Sequence, residues 1–211
     1  MIRALLIDLY ATALHPVQTV AVTYAERGRA LGVEQDPTNL MARFHVALEH
    51  TQTEQRMLGD GRVFWETVVA RATGCDDPAY FEGLFRYFGS PEAYRLAPAL
   101  LDCCHTLRAA GVKVAIVSNA DTRTHRVTEG LGLAQVVDLT LLSSELPWDK
   151  PDPRIFHHAC ALLGTAPGRA VHVGDSLRYD VRGARAAGCR AWHWGVDVTS
   201  FAEVAVRVQG S

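Results

Sequence analysis

The sequence predicts a doubly wound α/β protein: a parallel sheet covered on both faces by helices, with a separate helical domain inserted near the start. Three observations carry that prediction. Short, continuous apolar runs recur along the chain, which is how strands buried on both faces read. Helical patterns that stop at glycine lie between the later runs. The stretch from about Val17 to Arg95 holds helix signals and no convincing strand.

In chain order, Ala4 to Ile7 is the first strand. The inserted helices follow, with Leu40, Phe44 and Leu48 recurring at fours and Phe64 and Val68 likewise. Asp77 before Pro78 starts a helix carrying Tyr80, Phe81, Leu84, Phe85 and Phe88, aromatics read as core and interface packing. Pro37, Gly59-Asp60-Gly61 and Ser90-Pro91 mark the loops between these helices. Beyond Arg95 come a helix over Leu100 to Ala110 stopped by Gly111, a strand over Val112 to Val117, and a helix over Thr122 to Leu131 near Gly132. Leu139 to Leu142 is the third strand, Pro153 to Leu163 a helix stopped by Gly164, and Ala170 to Val173 the fourth strand. Leu177 to Ala187 is a helix stopped by Gly188, and Ala191 to Trp194 a weaker fifth strand. Residues 1–16 and 96–211 are thus the α/β core, and 17–95 the helical insert.

With 211 residues, 48% hydrophobic and 21% charged, the chain is neither disordered nor collagen-like. A formal net charge of -2 offers no overall positive field for nucleic acid. Five cysteines without a C-x-x-C pair fit free thiols in a reducing, cytoplasmic setting. The apolar start is broken by Asp8 and is far shorter than the roughly 18 residues of a membrane span. Adjacent Cys103 and Cys104 read as small buried residues, and the nine histidines as packed or solvated groups, His172 among them inside a buried strand.

In open α/β sheets ligands bind beyond the carboxyl ends of the strands. Polar residues follow the apolar runs at those positions: Asp8-Leu9-Tyr10-Ala11-Thr12, Ser118-Asn119, Lys150 in Trp148-Asp149-Lys150-Pro151, and Gly174-Asp175-Ser176 with Asp180 after it. Singly each has a plain role, Asp8 as a loop acid, Ser118 and Asn119 as turn residues, and Thr12 as a local hydrogen-bonder. Together they would converge from four strands on one edge, where a carboxylate can attack phosphorus or carbon and form a covalent intermediate. Lys150 could keep that carboxylate ionised.

This ordered set closely resembles the motifs of the haloacid dehalogenase superfamily over nearly the whole chain. The resemblance implies a Rossmannoid core with an inserted helical cap, Asp8 as nucleophile, Ser118 and Lys150 binding the transferring group, and Asp175 with Asp180 as the acidic pair. Thr12 ordering the nucleophile loop is part of the same implication, and Asn119 joins Ser118 in the second motif. Leu14-His15-Pro16 and Lys150-Pro151-Asp152-Pro153-Arg154-Ile155-Phe156 are also similar to the branch called haloacid dehalogenase-like hydrolase domain-containing 3.

Phosphatases of the superfamily carry a second Asp two residues after the nucleophile, and this chain has Tyr10 there. A general acid or base of that kind is worth about 10²–10⁴ in rate. Asp-x-Tyr-x-Thr is similar to the 2-haloacid dehalogenases, whose halide departs without a proton, whereas Asp175 is the phosphatase-like choice. Asp8, Asp175 and Asp180 facing Lys150 alone call for Mg2+, with Asp8, Asp175 and the Tyr10 carbonyl as ligands. The expectation is Mg2+-dependent hydrolysis of a small anionic phosphate monoester, with metal-independent dehalogenation and a catalytically silent binding core as alternatives. Arg27, Arg29, Arg43 and Arg56 are surface charges of the insert, any one of which could reach a substrate anion.

Overall fold

The computed structural model describes residues 1–211. Five parallel strands form the main sheet in the order β5-β4-β1-β6-β7. They are β1 (Ala4–Ile7), β4 (Lys113–Ser118), β5 (Leu139–Leu142), β6 (Ala170–Gly174) and β7 (Arg190–His193). β1 is central, in register with β4 from Ala4 against Lys113 and with β6 from Ala4 against Ala170. Its residues alternate between two cores. Leu5 and Ile7 pack with Leu107 and Cys104 of α5 (Leu100–Ala109) and with Phe201 and Val204 of α9 (Phe201–Gln209). Ala4 and Leu6 pack on the other face with Phe156 and Cys160 of α7 (Pro153–Leu162) and Ala184 of α8 (Gly183–Ala186). The sheet is therefore doubly wound, and burial on both faces explains its unbroken apolar strands. The remaining core helix is α6 (Arg123–Gly130), and no helix is long and apolar enough to cross a membrane.

Four helices fill most of the stretch from Val20 to Phe88: α1 (Val20–Arg29), α2 (Pro37–Glu54), α3 (Arg62–Thr73) and α4 (Pro78–Phe88). Asp36 and Asp77 cap α2 and α4, each ahead of a proline in the first turn where no backbone donor is lost. Tyr24, Phe44, Phe64, Val68, Tyr80 and Leu84 form an apolar cluster of these helices alone.

Two features depart from the expected layout. Leu14–Pro16 (β2) and Tyr94–Leu96 (β3) form an antiparallel ribbon where the chain leaves and re-enters the sheet domain, so a short strand stands at the end of the stretch expected to be wholly helical. Leu177 to Ala187 is not one regular helix: Leu177–Arg182 is a wide π-type turn that passes into α8. Its cause is visible in Ser176, whose carbonyl accepts from the backbone N–H of both Asp180 and Val181 while its own N–H is taken by the Asp180 carboxylate.

Candidate active site

Asp8 follows the last residue of β1, and its N–H donates to the Val173 carbonyl at 2.8 Å, so the sheet ladder itself fixes its position. The chain then folds back sharply: Ala13 and Leu14 both donate to the Leu9 carbonyl, and Ala11 takes a left-handed conformation at φ 64°. That turn returns the Thr12 hydroxyl to Asp8, where it donates to Oδ2 at 3.3 Å. Ser118, the last residue of β4, donates to Oδ1 at 3.4 Å.

Lys150 reaches the same oxygen. Its Nζ donates to Asp8 Oδ1 at 2.5 Å and to Asp180 Oδ1 at 2.6 Å, and the side chain is almost fully buried. Asn119 holds the backbone of Lys150 at both ends: its Nδ2 donates to the Lys150 carbonyl and its Oδ1 accepts from the Lys150 N–H, each at 2.8 Å. Asn119 therefore acts on the site by positioning Lys150.

Asp180 is fully paired. Oδ1 accepts from Lys150 and from His172 Nε2 at 2.9 Å, and Oδ2 accepts from the Ser176 N–H at 3.0 Å. A Cβ on Gly174 would overlap the Asp180 carboxyl, so that position admits only glycine in this arrangement. His172 is the residue that sequence reasoning passed over. A histidine buried inside a strand needs a polar partner, and its position two residues before Gly174 was the available signal.

Burial drives the Asp8 carboxyl up to about 6, with the Asp180 and Asp175 charges adding to the push and Lys150 opposing it. Burial also raises Asp175, helped by Asp180. Asp180 goes the opposite way: burial opposes its charge, but Lys150 and His172 outweigh it and hold the carboxyl well below its usual range. Burial likewise works against the Lys150 ammonium, and Asp180 and Asp8 overcome it. One ammonium between three acids leaves a negative surplus, and the proton goes most easily onto Asp8, because the three donors to Asp180 all lie within 3.0 Å whereas Thr12 and Ser118 reach Asp8 only at 3.3 and 3.4 Å.

One carboxylate oxygen each of Asp8, Asp175 and Asp180 lies within 4.8 Å of the others. With the Asp180 oxygens spent on Lys150, His172 and Ser176, Asp8 and Asp175 are the pair able to take a hard cation. An all-oxygen, partly exposed donor set with surplus negative charge fits Mg2+.

Tyr10 turns away from this cluster. Its hydroxyl is hydrogen-bonded to Thr124 Oγ1 at 3.0 Å, its ring packs at 5.4 Å on Tyr94, and burial pushes the phenol up to about 12. Any metal contact from Tyr10 falls to its backbone carbonyl. A cleft of about 480 Å³ opens between the four-helix segment and the sheet, bordered by Tyr10, Asn119 and Asp175. Of the four arginines singled out, Arg56 crosses to the sheet domain, binding Asp149 and the carbonyls of Ser143 and Leu146. Arg27 lies over the Tyr87 ring and Arg43 donates to Gln35.

A family model for haloacid dehalogenase-like hydrolases matches residues 2–188. The chain is 32% identical over 203 residues to haloacid dehalogenase-like hydrolase domain-containing protein 3 of Bos taurus, covering 90% of this chain and 81% of that one. It is 30% identical to phosphoserine phosphatase of Thermus thermophilus, covering 90% and 87%. A HAD-hydrolase structure from Bacillus subtilis, solved with magnesium, superposes with a TM-score of 0.80 at 16% identity over 99% of both chains. The chain belongs to the haloacid dehalogenase-like hydrolases. Its relatives include phosphatases, and the sequence resemblance to the domain-containing 3 branch holds over nine-tenths of its length.

Proposed function

We propose that this hydrolase is a Mg2+-dependent phosphomonoesterase that forms an aspartyl-phosphate on Asp8, with α1–α4 acting as a cap over the site. The observation that carries it is the crowding of Asp8, Asp175 and Asp180 around the single ammonium of Lys150. Asp8 and Asp175, with the Tyr10 carbonyl, would hold the ion, which would supply charge neutralisation at a phosphoryl oxygen. Asp8 attacks phosphorus, and the ester oxygen departs with the bonding pair. Ser118 and Lys150 hold the phosphoryl group, Asp180 and Asn119 keep Lys150 in place, and Thr12 keeps Asp8 pointed outward. Water then attacks the phosphorus of the acyl phosphate, releasing inorganic phosphate and restoring the carboxylate. The 30% identity to a phosphoserine phosphatase supports phosphate esters as the substrate class.

Tyr10 favours a second reading, halide displacement from a 2-haloacid through an ester on Asp8, because halide needs no proton to leave. Asp175 weighs against it, since another negative charge beside the nucleophile repels a carboxylate substrate. The third reading is a binding core that turns nothing over. Wild type and Asp8→Asn, given phosphomonoesters and 2-haloacids with Mg2+ or EDTA, separate the three. Phosphate release that needs both Mg2+ and Asp8 supports the proposal. Halide release in EDTA supports dehalogenation, and no product supports the silent core.

A further inference from the structure

The cleft beside Asp175 is built for something other than the charged leaving groups of small phosphorylated acids. Seventeen of its 25 lining residues are hydrophobic, Phe44, Phe64, Phe81 and Phe85 among them. Arg123 is the single lysine or arginine of that lining, and its charge is already paired. It forms a two-pronged pair with Asp121, at 3.0 and 2.7 Å, and donates to the Phe85 carbonyl while lying over the Phe85 ring. The second Asp121 oxygen also accepts from Trp65 Nε1 at 2.8 Å. A carboxylate brought into this cleft meets no unpaired lysine or arginine, and an unpaired charge away from water is strongly penalised.

A separate observation concerns the oxygen that must leave. The Tyr10 hydroxyl occupies the place in sequence of the usual proton donor, but it is engaged by Thr124 and its ring is packed on Tyr94. An alkoxide leaving without a proton is slow, whereas a phenolate leaves unaided. The cleft volume of about 480 Å³ is within the ordinary range for small-molecule sites.

We propose that the substrates are phosphate monoesters of uncharged, phenol-like alcohols, whose ring lies in the apolar cleft. The proposal rests on the phosphatase reading above and sharpens it. Asp8 displaces the phenolate, which carries away the bonding pair and takes its proton from solvent. A neighbouring polar cleft of about 580 Å³ shares Gln52, Met57, Phe64 and Asn119 with the apolar one. Its Arg56 is committed to Asp149 and two carbonyls, which leaves exposed Arg178 as the one arginine there that could draw an acidic substrate.

The test compares kcat/KM for phenyl phosphate, cyclohexyl phosphate and 2-phosphoglycolate on the intact chain with Mg2+. Calorimetric binding of phenylphosphonate is set against that of phosphonoacetate. Phenyl phosphate should exceed cyclohexyl phosphate by about 10²-fold or more, the usual worth of a missing proton donor. It should exceed 2-phosphoglycolate by about tenfold or more, and phenylphosphonate should bind about tenfold more tightly than phosphonoacetate. Tyr10→Asp should narrow the phenyl-to-cyclohexyl ratio. Equal rates for phenyl and cyclohexyl phosphate would mean that a group in the cleft, His15 or His45, donates a proton, and would overturn the leaving-group assignment. Equal or better use of 2-phosphoglycolate would overturn the cleft assignment while leaving the phosphatase reading intact. If no ester turns over, the phosphatase reading fails, and the phosphonate pair still decides what the cleft accepts: tighter phosphonoacetate overturns the proposal.

Discussion

The hydroxyl of Tyr10 lies 3.0 Å from Oγ1 of Thr124, a residue of α6, and this bond turns the phenol away from the carboxylate two positions before it. Tyr10 is thereby a packing and anchoring residue. Tyr10→Phe should change kcat for phenyl phosphate by less than about threefold and cost about 1 kcal/mol in urea unfolding, the net worth of one hydrogen bond. A loss of two orders of magnitude in kcat would show that the hydroxyl acts on the reaction. Tyr10→Asp should raise phosphate release from alkyl esters, and a rise there is the more informative outcome, since a fall also follows if the new charge displaces Asp8.

Lys150 is the ammonium that compensates two buried carboxylates, at 2.5 and 2.6 Å. Lys150→Met keeps the volume and removes the charge, leaving Asp8 and Asp180 facing each other. Breaking a buried ion pair from one side costs about 3–5 kcal/mol, so the variant should lose that stability as well as its turnover. Unchanged unfolding and unchanged kcat would contradict the arrangement.

His172 touches no cleft; it donates to Asp180 from beneath the site and packs its ring at 5.0 Å on Phe156. His172→Phe preserves the packing and removes the donor. We expect a loss of about 1.5–3 kcal/mol for the lost hydrogen bond to a charged group, Oδ1 keeping Lys150 alone, with kcat down about tenfold and KM little changed. A change in KM alone would mean that His172 shapes binding rather than the position of Lys150.

Under the proposed metal assignment, protons and Mg2+ would compete for the same oxygens. Burial foremost, with Asp180 and Asp175, raises the Asp8 carboxyl to about 6. A carboxyl raised in the folded state stabilises the fold while protonated, and that contribution is lost as pH rises through about 6. Mg2+ would bind the ionised form, so its Kd should rise about tenfold per pH unit below about pH 6, with proton release on binding. Calorimetry in buffers of different ionisation enthalpy reads both, and a Kd flat from pH 5 to 7 would contradict the ligand assignment.

The main sheet was legible because strands buried on both faces write themselves as apolar runs: Ala4–Ile7 and Leu139–Leu142 match the expected bounds, and the other three strands lie within one residue of them. The ribbon of Leu14–Pro16 with Tyr94–Leu96 was not, because three-residue strands paired across almost 80 intervening positions leave no local period. Leu177 to Ala187 carried a helical pattern, but the pull of Asp180 onto the Ser176 N–H widens its first turn, a tertiary effect that periodicity does not record. In the site, Asp8, Ser118, Lys150, Asp175 and Asp180 were candidates from their positions at the ends of the apolar runs, and the structure brings them together. The direction of Tyr10 depends on a partner 114 residues away, and the part played by His172 on Asp180 turning back beneath β6. Neither relation exists along the chain.

The central claim is that Asp8 becomes covalently phosphorylated. Acid quench during turnover of phenyl phosphate with Mg2+, followed by peptide mass spectrometry, tests it most directly. A phosphoryl group on Asp8, absent in EDTA and absent from Asp8→Asn, is the result this account predicts. Sustained phosphate release with Asp8 unmodified, or by Asp8→Asn, would contradict it.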